Sequence, residues 1–357
     1  MTGPHRGRKT SSVKTVKGDV ERAFRAMNIK SEKDISSMIS DERALLEFVE
    51  HCKEKKHLPG TIKTYLGSMI DFLEFLGQCK EHNLNVLEIV QTEKLLRQWK
   101  KKFNKGDRLQ FHKRQAEDRQ MLIDSRQVKN YDEGKHKKKA MQVFDSFREN
   151  PEKPLRRSEL TVCKEYIMVE VGLANGHRSG VSIHMRIGEY NAKYFQDGFA
   201  KIPVWDHKTV EAYGAAPVHL RPEAFNNLKT YVDIMRPKLE PKCDHVLLSW
   251  GKQPLQDSDP SKAINKVWKM SGNFEGRNIS KNLTMNHLRK SISTMSREEQ
   301  NPHTKENAAL MSHSEKTANI HYNLIERDKA CTIGAIEIKK LLRGNFLSVV
   351  TLFIIRI

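Results

Sequence analysis

The sequence predicts a mainly α-helical protein with a small β-sheet, arranged as two units. Its 357 residues leave room for two domains of ordinary size, each able to bury a core without staples. Apolar residues recur at helical spacing over roughly the first hundred residues with no strand signal between them. Strand character appears in one place, the paired runs "FAKIPVWDHKT" and "APVHLRP".

Residues 1–20 open with "MTGPHRGRKTSSVKTVKGD", which lacks the apolar segment of a secretory signal and reads as a basic, disordered tail. A helical unit is expected over 21–130. It contains "DERALLEFVEHCK" and "LPGTIKTYLGSMIDFLEFLGQ", in which Ile62, Tyr65, Leu66, Met69, Ile70, Leu73 and Leu76 share one face. Pro59 and Gly60 mark the start of that helix. "VLEIVQTEKLLRQWKKKF" and "FHKRQAEDRQMLIDSRQ" continue the helical pattern. Over 131–157 the composition turns polar and charged, with "GKHKKKA" and "ENPEKPLRR", and an exposed connection is expected. The lysine run there suits a solvated face, a phosphate contact or an import signal.

The second unit, 158–342, opens with "SELTVCKEYIMVEVGLANG", apolar nearly all round and stopped by Asn175-Gly176, so a buried helix is expected. Arg178 stands just past its end. The two strand runs, separated by "VEAYGA", form a hairpin with Lys208 close to its turn. Helices follow in "PEAFNNLKTYVDIM", "DPSKAINKVWKMSG", "MNHLRKSISTMSREE", "TKENAALMS" and "EKTANIHYNL". The tail 343–357 holds the apolar run Phe346 to Ile355, about half the roughly 20 residues a membrane helix needs, and reads as a docked terminal segment.

Sixty-three Lys and Arg against forty-four Asp and Glu give a formal charge of +19, which favours a partner such as nucleic acid or an anionic membrane surface without choosing between them. The cysteines, Cys52, Cys79, Cys163, Cys243 and Cys331, are odd in number and scattered, so neither a disulfide framework nor a zinc knuckle is expected. His303, His313 and His321 match no common zinc spacing. No Gly-rich phosphate loop and no paired-carboxylate motif stands out, so neither a cofactor nor a metal is expected. The Asn-x-Ser/Thr matches at Asn278 and Asn282 read as chance.

In order, Arg178, Lys208, Arg289, His313 and Tyr322 resemble the active-site set of the tyrosine recombinase (phage integrase-like) family. "NGHRSGV" resembles its first arginine box and "HKT" its hairpin lysine. "LTMNHLRKSIST" resembles the helix with the second arginine, and "LMSHSEKTANIHY" the box in which a His precedes the nucleophilic Tyr. The wording is closest to eukaryotic Crypton-type recombinases, transposable elements whose setting would be the nucleus. Two positions depart from the pattern: Asn286 occupies the usual place of a His, and Val181 that of an acidic residue.

The resemblance implies a SAM-like core-binding domain over 21–130 and a catalytic domain over 158–342. It implies DNA recombination and integration through a 3′-phosphotyrosyl intermediate, without a metal or cofactor. Arg178 and Arg289 would neutralise the nonbridging oxygens, Tyr322 attack phosphorus, Lys208 protonate the leaving oxygen and His313 bond the phosphate. Double-stranded DNA is the implied partner, with copies of the chain assembling on it and no membrane. The alternative is a domesticated, catalytically silent DNA-binding protein.

Overall fold

The computed structural model describes residues 10–79, 84–275, 282–298, 304–312 and 333–338. The architecture is mainly helical with one three-stranded sheet, as the sequence predicts. The chain divides between Gln115 and Ala116 into two compact units.

The first unit contains α1 (Thr10–Ala26), α2 (Glu32–Ser40), α3 (Arg43–Glu54), α4 (Pro59–Gln78), α5 (Val86–Lys102) and most of α6 (Asn104–Arg119). Pro59 begins α4 because a first-turn N–H has no helical partner to lose. Ile62, Leu66, Met69, Ile70, Leu73 and Leu76 are buried along its length and pack with Leu45, Phe48, Leu96 and Trp99. The tail expected at 1–20 is corrected from Thr10 onward: α1 carries Val20 and Ala23 into the same core. Its Asp19 is buried too, accepting from Ser68 Oγ at 2.9 Å.

The second unit adds α7 (Ser125–Asp132), α8 (Lys135–Glu149), α9 (Arg157–Asn175), α10 (Ser179–His184) and α11 (Ile187–Asn191). The sheet follows as β1 (Tyr194–Gln196), β2 (Phe199–Val204) and, after the short α12 (Val210–Tyr213), β3 (Ala216–Leu220). Then come α13 (Pro222–Thr230), a π-helical turn at Tyr231–Met235, α14 (Asp259–Met270), α15 (Met285–Glu298) and α16 (Thr304–Leu310).

The exposed connection expected over 131–157 is corrected: α8 fills most of it. Its Ala140, Val143, Phe144 and Phe147 follow an i, i+3, i+4, i+7 pattern and are buried against α9. The lysine run occupies only its first turns, where His136 turns inward and Lys135, Lys138 and Lys139 face solvent. The hairpin is present, with β2 antiparallel to β3 and Ile202 opposite Val218. Along β2, Ala200, Ile202 and Val204 point inward in the alternation a half-buried strand requires. β1, which has no signal of its own, adds to the other edge of β2.

Among the described residues no helix is long and apolar enough to cross a membrane. Cys52, Cys79, Cys163 and Cys243 are free thiols. The apolar run at Phe346 to Ile355, His303, His321 and Cys331 lie outside the described residues.

Candidate active site around the end of helix α9

The four residues after the body of α9 each do a different job. Asn175 donates from Nδ2 to Val171 O at 3.0 Å and His219 O at 3.1 Å, and accepts from His219 N at 2.7 Å, so it ties the helix end to β3. Gly176 caps α9 in the left-handed region, φ +60°, where a Cβ would also lie 2.8 Å from Met311 Sδ. His177 is buried and donates from Nε2 to Pro217 O across 3.1 Å. That fixes the tautomer, and burial pushes its pKa down to about 4, so the ring is neutral near pH 7. Arg178 then initiates α10 with extended backbone and a half-exposed side chain.

Arg178 Nη1 donates to Thr209 Oγ1 at 3.2 Å and to Ser312 O at 3.5 Å. Its Nε and Nη2 make no hydrogen bond among the described residues, leaving free the edge that grips a phosphate with two parallel bonds. Thr209 Oγ1 is also 3.3 Å from Ser312 O. Thr209 belongs to the tight turn after β2, which is braced by His207 Nε2 donating to Gly214 O at 2.8 Å. Lys208 sits between these two braced residues, exposed, with no hydrogen bond or ion pair among the described residues.

Arg289 arrives from α15 and is 1% exposed. Nη1 donates to Gly176 O at 3.0 Å and Nη2 to Met311 O at 2.5 Å. It therefore joins the cap of α9 to the segment leaving α16. Asn286, one turn earlier on α15, is exposed. His287 is turned elsewhere: Nε2 lies 3.1 Å from Asp118 Oδ1, while Nδ1 accepts from Thr284 N at 3.1 Å. Lys290 donates to the other oxygen of Asp118. Burial would raise the Asp118 carboxyl, but the donors on His287 and Lys290 outweigh it and hold it at about 2.

Three expected site residues, Arg178, Lys208 and Arg289, thus fall on elements that converge on the carbonyls of Met311 and Ser312. His313 follows next in sequence; it and Tyr322 lie outside the described residues. Thr209 and Asp118 are additions to the expected set. Thr209 adjoins the hairpin lysine, and a polar residue in that turn was the available signal. Asp118 had none, because its partners lie 169 and 172 residues away.

By sequence the chain matches no protein-family model and no curated protein. By structure it is similar to XerA recombinase, at 12% identity and a TM-score of 0.36 over 88% of this chain and 87% of that one. It is similar to a lambda integrase (75–356) dimer bound to a COC′ core site, at 13% identity and a TM-score of 0.42 over 90% of this chain and 92% of that one. A further similar structure is XerH site-specific recombinase bound to palindromic difH substrate in a post-cleavage complex, at 13% identity and a TM-score of 0.39 over 61% and 53% of the two chains. At these scores the likeness carries no weight for chemistry, which rests on the residues themselves.

Proposed function

We propose that this chain cuts and rejoins duplex DNA by transesterification, with Tyr322 as the nucleophile. The observation that carries the reading is the convergence on one spot of boxes far apart in sequence: Arg178, the Lys208–Thr209 turn and Arg289 all meet the backbone at Met311–Ser312, just before His313.

The chemistry follows from the groups. Arg178 offers Nε and Nη2, which have no partner among the described residues, to two nonbridging oxygens of a phosphodiester and neutralises the charge that builds there. Arg289 adds positive charge behind it and holds the Met311 carbonyl, and with it the approach to His313. The Tyr322 oxygen forms the new bond to phosphorus as the bond to the 5′-oxygen breaks. Its proton passes to His313, and an ammonium proton of Lys208 goes to the departing oxygen. The phosphotyrosyl link stores the bond, and attack by a 5′-hydroxyl reverses the step. Lys208 suits the acid's role because its turn is fixed on both sides while its own side chain has no partner among the described residues.

The same reading extends to recombination and integration, with copies of the chain assembling on DNA. The wording of "NGHRSGV", "HKT" and "LMSHSEKTA" supports a Crypton-type, transposon-derived origin and a nuclear setting. It also supports treating the first compact unit, which ends at Gln115 rather than at the expected 130, as a core-binding domain.

One observation favours the alternative of a silent DNA-binding protein. Arg289 is almost fully buried with both terminal nitrogens on backbone carbonyls, whereas Arg178 keeps an edge without a hydrogen-bond partner among the described residues. A nicked suicide substrate, which traps a covalent intermediate, separates the two readings. An adduct that maps to Tyr322 supports the enzyme, and its absence with intact DNA binding supports the binder.

A further inference from the structure

The cations on the second unit form another surface, along the half of α9 remote from Arg178. A groove of about 700 Å³ opens between the start of α8, the start of α9 and the outer side of α14. Lys135, Lys139, Arg157 and Lys266 line it, with the hydroxyls of Ser158 and Thr161 on its wall. The single carboxylate among the lining residues, Glu165, is occupied: Lys266 Nζ lies 2.7 and 3.0 Å from its two oxygens, and His136 Nε2 lies 3.0 Å from one of them. Lys135, Lys139 and Arg157 are exposed and their side chains have no partner among the described residues. The lining thus keeps an excess of three positive charges.

We propose that this groove is a second nucleic-acid site, which holds the phosphate backbone of a duplex separately from the Arg178 centre. The separation follows from α9, whose 19 residues span about 28 Å. Arg178 lies past one end, and the groove's lining on α9 runs from Arg157 to Glu165, which stops ten residues, or about 15 Å, short of Asn175. The chemistry favours phosphates over an acidic peptide. Lys135 and Lys139, four residues apart on α8, stand about 6 Å apart along its axis. Two cations one helical turn apart can each neutralise a phosphate of the same strand. All three walls are helices, so no free strand edge is present for a peptide to extend. The proposal goes beyond the transesterase reading and does not require Tyr322.

The test is lysine acetylation footprinting of the full chain at a saturating concentration of a short random-sequence duplex, with polyglutamate as the comparison polyanion. The duplex is expected to protect Lys135, Lys139 and Lys266 in both wild type and Arg178→Gln. In the triple variant Lys135→Gln, Lys139→Gln, Arg157→Gln, the advantage of wild type in affinity should shrink about 40-fold between about 50 and 200 mM salt, if three phosphates are neutralised. Unprotected lysines overturn the proposal, and so does protection that disappears in Arg178→Gln, which would mean one continuous surface. Protection by polyglutamate but not by duplex also overturns it and assigns the groove to an acidic protein. The footprint does not depend on adduct formation, so failure of the catalytic reading registers separately.

Discussion

Removing the Asp118 carboxylate should loosen the helix that carries Arg289. Asp118, 13% exposed, holds both His287 and Lys290, and Lys290 is itself buried. His287 and Lys290 flank Arg289 on α15, so this clamp fixes the rotation of the helix and the aim of the guanidinium. The carboxyl is held at about 2 against an ordinary 3.8, which corresponds to about 2 kcal/mol in favour of the ionised form. Asp118→Asn should therefore cost about 2 kcal/mol. Asp118→Ala also strands the Lys290 ammonium and should cost about 3 to 5 kcal/mol. The sign with pH follows from a lowered acid: the stabilisation is complete above the ordinary carboxylate pKa and is lost as pH falls through about 2. The assay is native-state amide exchange along α15, read as opening free energy across that pH range. Opening energies in both variants within about 0.5 kcal/mol of wild type at neutral pH would refute the clamp.

His177, neutral and depressed to about 4, should make the second unit less stable in acid: its contribution is complete above pH about 6.5 and declines by about 3 kcal/mol toward pH 4. His177→Gln should flatten that part of the pH–stability curve. Gly176→Ala forces an L side chain to φ +60° and against Met311, so a loss of about 2 kcal/mol or more is expected in thermal unfolding of the second unit. Arg178→Lys keeps the charge but removes the two-bond edge. Adduct formation should slow by about 10² to 10³, with stability changed by less than about 0.5 kcal/mol.

Much of this was legible because it rests on local pattern. The apolar face of α4, the all-apolar α9 ending at Asn175-Gly176, and the hairpin alternation each encode an element through its own period. α8 was hidden because "KHKKK" dominates its composition, whereas its buried Ala140, Val143, Phe144 and Phe147 keep helical spacing and would have revealed it. β1 is three exposed residues that become a strand only by pairing with β2, which no local signal conveys. At the site, the boxes at Arg178, Lys208 and Arg289 were readable, and so was Asn286 at the usual place of a His. The burial of Arg289 was not, because it depends on a carbonyl 22 residues away, and neither was the Asp118 clamp, assembled across 169 residues.

The central claim is that Tyr322 attacks a phosphodiester held at Arg178, and trapping on nicked duplex substrates measures it directly. Wild type should form a 3′-phosphotyrosyl adduct that peptide mapping assigns to Tyr322, while Tyr322→Phe binds the same DNA and forms none. An adduct that persists in Tyr322→Phe, or a wild type that binds tightly yet forms no adduct on any cleavable substrate, would contradict the account.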